Sequence, residues 1–403
     1  MAVGLQTPQK LHPVRGIRLA AMHSGIKSDG TTKDLVLLEI APGASLAAVF
    51  TQSHFSAAPV KLCQQHLALE PEARFLLINS GNANAGTGAA GLRDATECCE
   101  AVAELTDTTR EQVLPFSTGV IAEPLPVAPI KQAIPELLAR LAADNWLEAA
   151  QGIMTTDTLP KAVSLELDID GKAVSITGMA KGSGMIKPDM ATMLSYIATD
   201  AAIEQDELSQ MLGQMVKGSF NSITVDGDTS TNDSCVLIAT GASGVRVNRS
   251  QEEFCQALQL VFEKLAQAII RDAEGATKFV EVRVDGAVSE SDARSVAFTI
   301  AESPLVKTAL FASDPNWGRF IMAIGRAPLS QIDPDRVDLY LGGVRLLRQG
   351  LPDPEYREAL GQVEMSRTEI TIGVNLNLGD ARARVWTSDL SYDYVKINAE
   401  YRS

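Results

Sequence analysis

A threonine in the range 181–199 is placed where it could attack its own backbone; this range reads KGSGMIKPDMATMLSYIAT. The glycines and Pro188 favour an irregular loop, whereas the apolar, β-branched run 192–199 favours a buried strand. The two halves meet at the bond between Ala191 and Thr192. If the loop strains this bond, the Thr192 hydroxyl can attack the carbonyl group of Ala191 and cleave the chain.

The α-amine freed by such cleavage could act as the general base for the Thr192 hydroxyl. Its ordinary pKa is roughly 7.7 to 8.0, so a usable fraction is neutral near pH 7. This arrangement would replace the serine and histidine of a catalytic triad, in a chain whose few histidines are His12, His23, His54 and His66. The alternative is an ordinary loop before a strand, and this segment alone does not exclude it.

Three polar stretches could complete such a site. The first, 115–120, ends a predicted strand with Thr118 and Gly119, whose hydroxyl and amide could donate hydrogen bonds to an oxyanion. A plain turn is the alternative. The other two, NSGNANAGTG at 79–88 and NSITVDGDTSTND at 221–233, indicate either solvated loops or hydrogen-bonding walls around a site. Neither contains a nucleotide-binding glycine pattern.

The elements that must position these residues alternate between strands and helices. Apolar runs predict strands at 16–21, 34–40, 45–51 and 74–79. Spacing of three to four residues predicts helices at 93–105, 127–143, 145–154, 204–218 and 250–273. Asp170-Gly171 and Gly379-Asp380 predict β-hairpins at 163–177 and 369–386. The sequence therefore predicts a mixed α/β protein with antiparallel sheets covered by helices.

Composition excludes several functional classes. The 403 residues are 45% hydrophobic, enough for a large core, and the net charge of -15 without a basic run argues against nucleic acid binding. An anionic substrate would need locally placed cations. No apolar stretch is long enough to span a membrane, and residues 1–16 lack a signal peptide core, so a cytoplasmic protein is expected. The scattered residues Cys63, Cys98, Cys99, Cys235 and Cys255 predict reduced thiols rather than a zinc site.

Taken together, the motifs resemble the ornithine acetyltransferases of arginine biosynthesis, which are glutamate N-acetyltransferases of the ArgJ family. The resemblance covers nearly the whole chain in the family's order, through NSGNANAGTG, PFSTGVI, IMTTDT, KGSGMIKPDMATML, FNSITVDGDTSTND, DAEGATK, DPNWGR and DLSYDYVKINAEYRS. It implies a DmpA/ArgJ-like layered sandwich of the N-terminal-nucleophile type. It also implies self-processing into an α chain, 1–191, and a β chain, 192–403, which form one catalytic unit and assemble as two of each.

The resemblance also assigns residue roles. Thr192 matches the nucleophile, and Thr118 and Gly119 match the oxyanion donors. The matching substrate-binding positions are Thr155, Lys181, Thr192, Glu274, Asn398 and Ser403. The doublet with Thr156 leaves the register of Thr155 open by one residue, and Ser403 stands where the family commonly has threonine. Gly86 and Ala273 replace a common cysteine and a common glycine.

The implied reaction moves an acetyl group from N2-acetyl-L-ornithine to L-glutamate through acetyl-Thr192. Lys181 suits the α-carboxylate of either substrate, and Glu274 suits the distal ammonium of the donor, with an exposed carboxylate as the alternative for Glu274. Asn316 and Arg319 either orient the processing loop or the pocket, or form a structural turn around Trp317. No metal or other cofactor is expected, and acetyl-CoA as a second donor is left open. A DmpA-type aminopeptidase and a non-catalytic binding protein are the competing hypotheses.

Overall fold

A computed structural model describes residues 2–187, 193–329 and 331–400. The chain forms two compact units. The larger unit comprises Gln6–Asn221 and Thr229–Ile269, and the smaller unit comprises Met1–Leu5, Ser222–Asp228 and Ile270–Ser403. In the described part of the chain, no helix has the length and apolar character needed to cross a membrane.

The larger unit contains two sheets, with strands numbered here in chain order. The first sheet has the order β1-β2-β4-β5, from β1 (Ile17–Met22), β2 (Leu35–Ile40), β4 (Phe75–Asn82) and β5 (Val113–Val120). Its pairings are antiparallel except for β4 with β5, which are parallel. The second sheet has the order β3-β10-β8-β7-β6, from β3 (Ser45–Phe50), β6 (Lys161–Ile169), β7 (Lys172–Lys181), β8 (Leu194–Thr199) and β10 (Ser234–Ala239). Here only β10 and β8 are parallel.

Helices cover these sheets, and the strand sequences show why. The helices are α1 (Ala58–Leu69), α2 (Gly88–Ala103), α3 (Val127–Ala139), α4 (Trp146–Gly152), α5 (Gln205–Lys217) and α6 (Glu252–Arg271). Strand β2 is apolar on both faces: Leu35 and Leu37 join the core shared with α1–α3, whereas Val36 and Leu38 join the core between the two sheets. Because side chains alternate along a strand, a continuous apolar run fits a sheet buried on both sides.

The smaller unit is built on one mixed sheet. Its order is β14-β13-β12-β15-β11-β16-β9, from β9 (Ile223–Thr224), β11 (Phe279–Ala287), β12 (Asp338–Leu341), β13 (Val344–Arg348), β14 (Leu351–Pro352), β15 (Glu369–Asn375) and β16 (Ala381–Ser388). Its helices are α7 (Glu290–Ala301), α8 (Pro304–Phe311), α9 (Trp317–Gly325), α10 (Glu358–Met365) and α11 (Tyr392–Ala399). Short 3₁₀ helices occur in the chain at Arg110–Gln112, Phe220–Ser222 and Pro334–Arg336.

The mixed α/β class and the predominance of antiparallel pairing are confirmed. The hairpin predicted at 163–177 is also confirmed, with β6 paired to β7 across Asp170 and Gly171, both of which have positive φ. The hairpin predicted at 369–386 is wrong, because β11 lies between β15 and β16 and pairs with both. The connection instead bonds to the end of β11, where the Leu378 amide donates to the carbonyl oxygen of Gly286.

Candidate active site

The second sheet anchors the chain on both sides of the predicted cleavage site. That site falls in 188–192, outside the described residues. Before it, β7 ends at Lys181, which lies opposite Leu194 at the start of β8. After it, the carbonyl oxygen of Met193 accepts a hydrogen bond from the amide of Ser234 in β10, at 2.9 Å. The backbone flanking the site is therefore held by neighbouring strands.

Strand β5 ends in a close backbone contact that only glycine permits. Gly119 has φ 137°, and a Cβ atom there would lie 2.2 Å from the carbonyl carbon of Gly81 in β4. The preceding residue, Thr118, is 9% exposed. Within the described residues its hydroxyl has no hydrogen-bond partner, so it is available to donate one to a ligand. The geometry is suitable for the predicted oxyanion role.

Asn232, just before β10 of the second sheet, binds strand β5, which carries the predicted oxyanion donors Thr118 and Gly119. Its side-chain nitrogen donates to the carbonyl oxygens of Ser117, at 2.9 Å, and Ala83, at 2.6 Å. The Ser117 hydroxyl in turn donates to Asn79 Oδ1 at 2.6 Å. Residues from all three polar stretches therefore meet here. At these positions they form a buried hydrogen-bonding wall, whereas Asp228 in the middle of the third stretch is exposed.

Asp157, which the sequence analysis did not single out, joins two of the predicted substrate-binding segments. Its buried carboxylate accepts hydrogen bonds from the amide of Thr155 at 2.9 Å, the amide of Gly182 at 2.8 Å and Lys161 Nζ at 2.6 Å. Burial acts to raise the pKa of Asp157, but the charges of Lys161 and Lys181 and the hydrogen bonds outweigh it and hold that pKa well below its usual range. A carboxylate that is ionised at neutral pH therefore fixes Thr155 next to the end of β7.

Lys27 connects the same region to Gly81 in β4. Its ammonium donates to the carbonyl oxygens of Met154, at 2.7 Å, and Lys33, at 3.2 Å. Its Cγ atom would lie 3.1 Å from a Cβ atom at Gly81. Burial lowers the pKa of Lys27, although Asp34 acts in the opposite direction.

The charges around Asp157 have both signs. Lys27, Lys161 and Lys181 all act electrostatically on it or on one another, and Asp34 and Asp29 act on Lys27 in turn. Lysines and carboxylates therefore balance approximately here, in a chain whose net charge is -15. Lys181 remains a candidate for the locally placed cation that an anionic substrate requires.

Asp233 is a second buried carboxyl group of this region, and one of its oxygens is unpaired. It precedes β10, is 2% exposed, and accepts a hydrogen bond from the Thr51 amide through its backbone carbonyl. Among the described residues, Oδ2 has no hydrogen-bond partner. Burial raises the pKa of Asp233 well above its usual range, while Ser230 and Lys181 act to lower it. The only sequence signal was its position at the end of a polar stretch.

In the smaller unit, Glu274 and Asn398 are brought together. Glu274 is 9% exposed, which corrects the alternative of an exposed carboxylate, and its Oε2 accepts a hydrogen bond from Asn398 Nδ2 at 2.8 Å. Helix α11 carries Asn398 and approaches closely at Gly275, where a Cβ atom would lie 2.5 Å from the amide nitrogen of Tyr394. The Tyr394 hydroxyl donates to Asp226 Oδ2 at 3.3 Å.

The predicted site residues therefore fall into three groups. Thr118, Gly119, Thr155 and Lys181 belong to the larger unit, and Glu274 and Asn398 belong to the smaller one. The residues Ala191, Thr192 and Ser403 lie outside the described residues. No group of three or more metal-binding side chains is found in the parts of the chain that the structure describes.

The hydroxyl groups of Thr155 and Thr156 have different surroundings. Thr156 Oγ1 lies 2.6 Å from Ser183 Oγ, so this hydroxyl is engaged with the loop after β7. The amide of Thr155 donates a hydrogen bond to Asp157 Oδ2. Within the described residues, the Thr155 hydroxyl makes no hydrogen bond. A hydroxyl with no partner among the described residues can bind a ligand. This favours Thr155 over Thr156 as the predicted substrate-binding position.

Asn316 and Arg319 have structural contacts within the smaller unit. Asn316 Nδ2 donates to Asp314 Oδ2 at 3.2 Å just before α9 begins. Arg319 Nη1 donates to the carbonyl oxygen of Leu305 at 2.7 Å and to Thr308 Oγ1 at 3.0 Å. Arg319 therefore ties α9 to α8, as the structural-turn interpretation predicts.

Comparison with known sequences identifies the family. The sequence model of the ArgJ family matches residues 18–403. This chain belongs to the ArgJ family. Two relatives are both named "Arginine biosynthesis bifunctional protein ArgJ". The protein from Pseudomonas syringae pv. tomato (strain ATCC BAA-871 / DC3000) is 49% identical over 414 residues, and that from Pseudomonas fluorescens (strain Pf0-1) is 50% identical over 408 residues. Both alignments cover 100% of each chain.

A solved structure is also similar in part. The crystal structure of Arginine biosynthesis bifunctional protein argJ from Bacillus halodurans is 40% identical and covers 50% of this chain and 96% of that chain, with a TM-score of 0.48. The resemblance to the ArgJ family inferred from the motifs is thus confirmed by the full-length relatives.

Proposed function

We propose that this ArgJ family chain transfers the acetyl group of N2-acetyl-L-ornithine to L-glutamate, after cleaving its own backbone between Ala191 and Thr192. The observation that carries the proposal is full-length identity of 49 and 50% to two proteins named Arginine biosynthesis bifunctional protein ArgJ. The reaction belongs to arginine biosynthesis, because it regenerates the acetylated glutamate from which that pathway starts.

In the first half-reaction, the Thr192 hydroxyl oxygen attacks the acetyl carbonyl carbon of the donor. Its proton passes to the α-amine of the same residue. The Thr118 hydroxyl and the Gly119 amide hydrogen-bond the oxyanion. The carbon–nitrogen bond then breaks, and the ammonium returns the proton to the nitrogen of ornithine. The acetyl group remains on Thr192 as an ester.

In the second half-reaction, the α-amine of glutamate attacks the ester carbonyl carbon. The same two donors stabilise the second oxyanion. The bond to the Thr192 oxygen breaks, and that oxygen regains a proton while the glutamate nitrogen loses one. The products are N-acetyl-L-glutamate and free enzyme. Since ornithine leaves before glutamate reacts, the kinetics are ping-pong.

Substrate binding uses the charges and hydroxyl groups described above. Lys181 pairs with the α-carboxylate of either substrate through the charge of its ammonium group. The unengaged Thr155 hydroxyl contributes a hydrogen bond. Glu274, held by Asn398, pairs with the distal ammonium of ornithine. Ser403 is assigned to substrate binding through the family motif alone.

The proposal extends to donor, assembly and compartment. Because the relatives are named bifunctional, acetyl-CoA is proposed as a second acetyl donor, with transfer to glutamate giving the same product. No metal or other cofactor takes part in the proposed reaction. The α and β chains assemble as two of each, and the cytoplasm, where amino acids are synthesised, is the proposed compartment.

Mass spectrometry and a transfer assay test the function together. Wild type should give fragments 1–191 and 192–403, and should release ornithine from N-acetyl-ornithine only when glutamate is present. Thr192→Ala should give one uncleaved chain without transfer activity, whereas Thr192→Ser, which keeps the hydroxyl, should still cleave. Ornithine release at an equal rate without glutamate would instead indicate hydrolysis of the aminopeptidase type and contradict the proposal.

A further inference from the structure

The unpaired oxygen of Asp233 is costly unless a ligand supplies a hydrogen-bond donor. The side chain is almost fully buried, and Oδ2 has no partner among the described residues. Buried polar groups in proteins are nearly always hydrogen-bonded, and buried carboxylates are nearly always paired. The exception at Asp233 therefore requires an explanation.

The position of Asp233 places it among the proposed catalytic residues. Ser234 pairs with Leu194 between the parallel strands β10 and β8, so Asp233 lies level with Met193, the residue that follows the proposed nucleophile. Its other neighbour in sequence, Asn232, donates to the carbonyl oxygen of Ser117. The two sequence neighbours of Asp233 therefore contact the start of β8 and strand β5, which carries the proposed oxyanion donors.

Asp233 and Lys181 form a complementary pair of charges. The ammonium of Lys181 is close enough to act on the Asp233 carboxyl group electrostatically. A free α-amino acid carries an ammonium and a carboxylate on one carbon atom, and Asp233 and Lys181 offer the opposite charge to each of them. If Lys181 binds the α-carboxylate, Oδ2 of Asp233, which has no partner among the described residues, is the complementary acceptor for the α-ammonium.

We infer that Asp233 binds the α-ammonium group of the acceptor amino acid, so that the site recognises a free amino acid by both of its α groups. This inference rests on the proposed function. The donor substrate differs at the same position, because acetylation converts its α-nitrogen into a neutral amide. Burial alone raises the pKa of Asp233, whereas a bound ammonium group lowers it and favours the ionised carboxylate. Asp233 therefore contributes an ion pair to the acceptor and no more than a neutral hydrogen bond to the donor.

Steady-state kinetics of Asp233→Asn separate these two contributions. In ping-pong kinetics, kcat/KM for each substrate reports its own half-reaction. Asparagine keeps the size and one acceptor oxygen but removes the charge. The expected result is a loss of about 10- to 100-fold in kcat/KM for glutamate, as for a hydrogen bond to a charged group. The value for N-acetyl-ornithine should stay within about threefold, the range of a neutral contact.

Asp200→Asn is the matched control. Asp200 is also a buried carboxylate of the larger unit, at the opposite end of β8, where it accepts hydrogen bonds from Arg15 and Ser175. Both kcat/KM values should stay near wild type in this variant. An equal loss for the two substrates in Asp233→Asn, or an unchanged value for glutamate, would overturn the inference. Absence of transfer in wild type would instead refute the proposed function.

The wild-type enzyme provides a second measurement that does not depend on the variant's folding. Glutarate has both carboxylates of glutamate but lacks the α-ammonium. Glutarate should compete with glutamate only weakly, because the ion pair is absent. The glutarate concentration that halves glutamate binding should be at least about tenfold higher than the glutamate concentration that half-saturates the site. Competition by glutarate at equal concentration would show that the ammonium is not recognised, and the assignment of Asp233 would be wrong.

Discussion

Asp157→Asn should destabilise the larger unit strongly. The substitution keeps the shape of the side chain but removes the charge that Lys161 faces at 2.6 Å, and both side chains are 0% exposed. Removing one partner of a buried ion pair leaves an uncompensated charge, which costs about 3 to 5 kcal/mol. The amides of Thr155 and Gly182 also compete for the single remaining acceptor oxygen. We expect a loss of unfolding free energy in this range.

The measurement should use urea unfolding in the Thr192→Ala background, where we expect the chain to stay intact, with every variant at the same protein concentration. The acid side of the pH profile gives an independent check. The folded pKa of Asp157 is depressed, so its stabilising contribution is present above the unfolded value of about 3.9 and is lost as the pH falls towards the folded value. Asp157→Asn should flatten this acid decrease.

The double variant Asp157→Asn/Lys161→Met tests whether the uncompensated charge is the cause. Methionine removes the charge while filling the space, so the double variant should be more stable than Asp157→Asn alone. A cost below about 1 kcal/mol for Asp157→Asn, the range of exposed ion pairs, would refute the reasoning. So would a double variant whose two costs simply add.

Three further outcomes are expected. Thr118→Ala should lower kcat by about 10²- to 10³-fold with little change in melting temperature, since it removes one oxyanion donor; a negligible loss of kcat would argue against that role. Gly119→Ala should reduce the unfolding free energy by about 3 kcal/mol or more in urea, because its Cβ atom would clash with Gly81. Burial lowers the pKa of Lys307 to about 8. Stability should therefore rise between about pH 8 and the unfolded value of about 10.4, and Lys307→Met should abolish that rise in pH-dependent melting curves.

Local patterns in the sequence were sufficient to predict many elements. Strands β1 to β4 and helices α3 to α6 follow from apolar periodicity and from their flanking glycines and prolines, within a few residues of the observed ends. The hairpin at Asp170 could be predicted because a two-residue turn determines the pairing of its own strands.

The error at 369–386 has a topological cause. The Gly379-Asp380 signal is local, but β11, which separates β15 from β16, lies about 90 residues earlier in the chain. Glycine is needed at 379 for another reason, since a Cβ atom there would lie 2.5 Å from the carbonyl oxygen of Ala287. Turn residues therefore indicated a close backbone approach without identifying the partner.

The site was predictable only where a motif carried it. Thr118, Gly119 and Lys181 lie in segments recognisable from the family pattern, and the structure places them at strand ends, as expected. Asp157 and Asp233 also lie in quoted motifs, but the motifs assign them no role, because their roles depend on interactions with Gly182 and Lys181, about 25 to 50 positions away in sequence. Burial and hydrogen-bond pairing, which distinguish these two from other aspartates, are properties of the folded chain.

The strand composition of the second sheet determines the order in which folding and cleavage can occur. Strands β3, β6 and β7 come from before the proposed cleavage site, and β8 and β10 come from after it. The sheet must therefore assemble while the polypeptide is continuous, when strand pairing is an intramolecular event. Once the bond is broken, a denatured molecule can reassemble only by the encounter of two separate fragments. The mature protein would thus carry a fold that it acquired as a precursor. Its recovery from denaturation would depend on concentration already at the step that forms the second sheet, whereas the intact Thr192→Ala chain would form that sheet within one polypeptide.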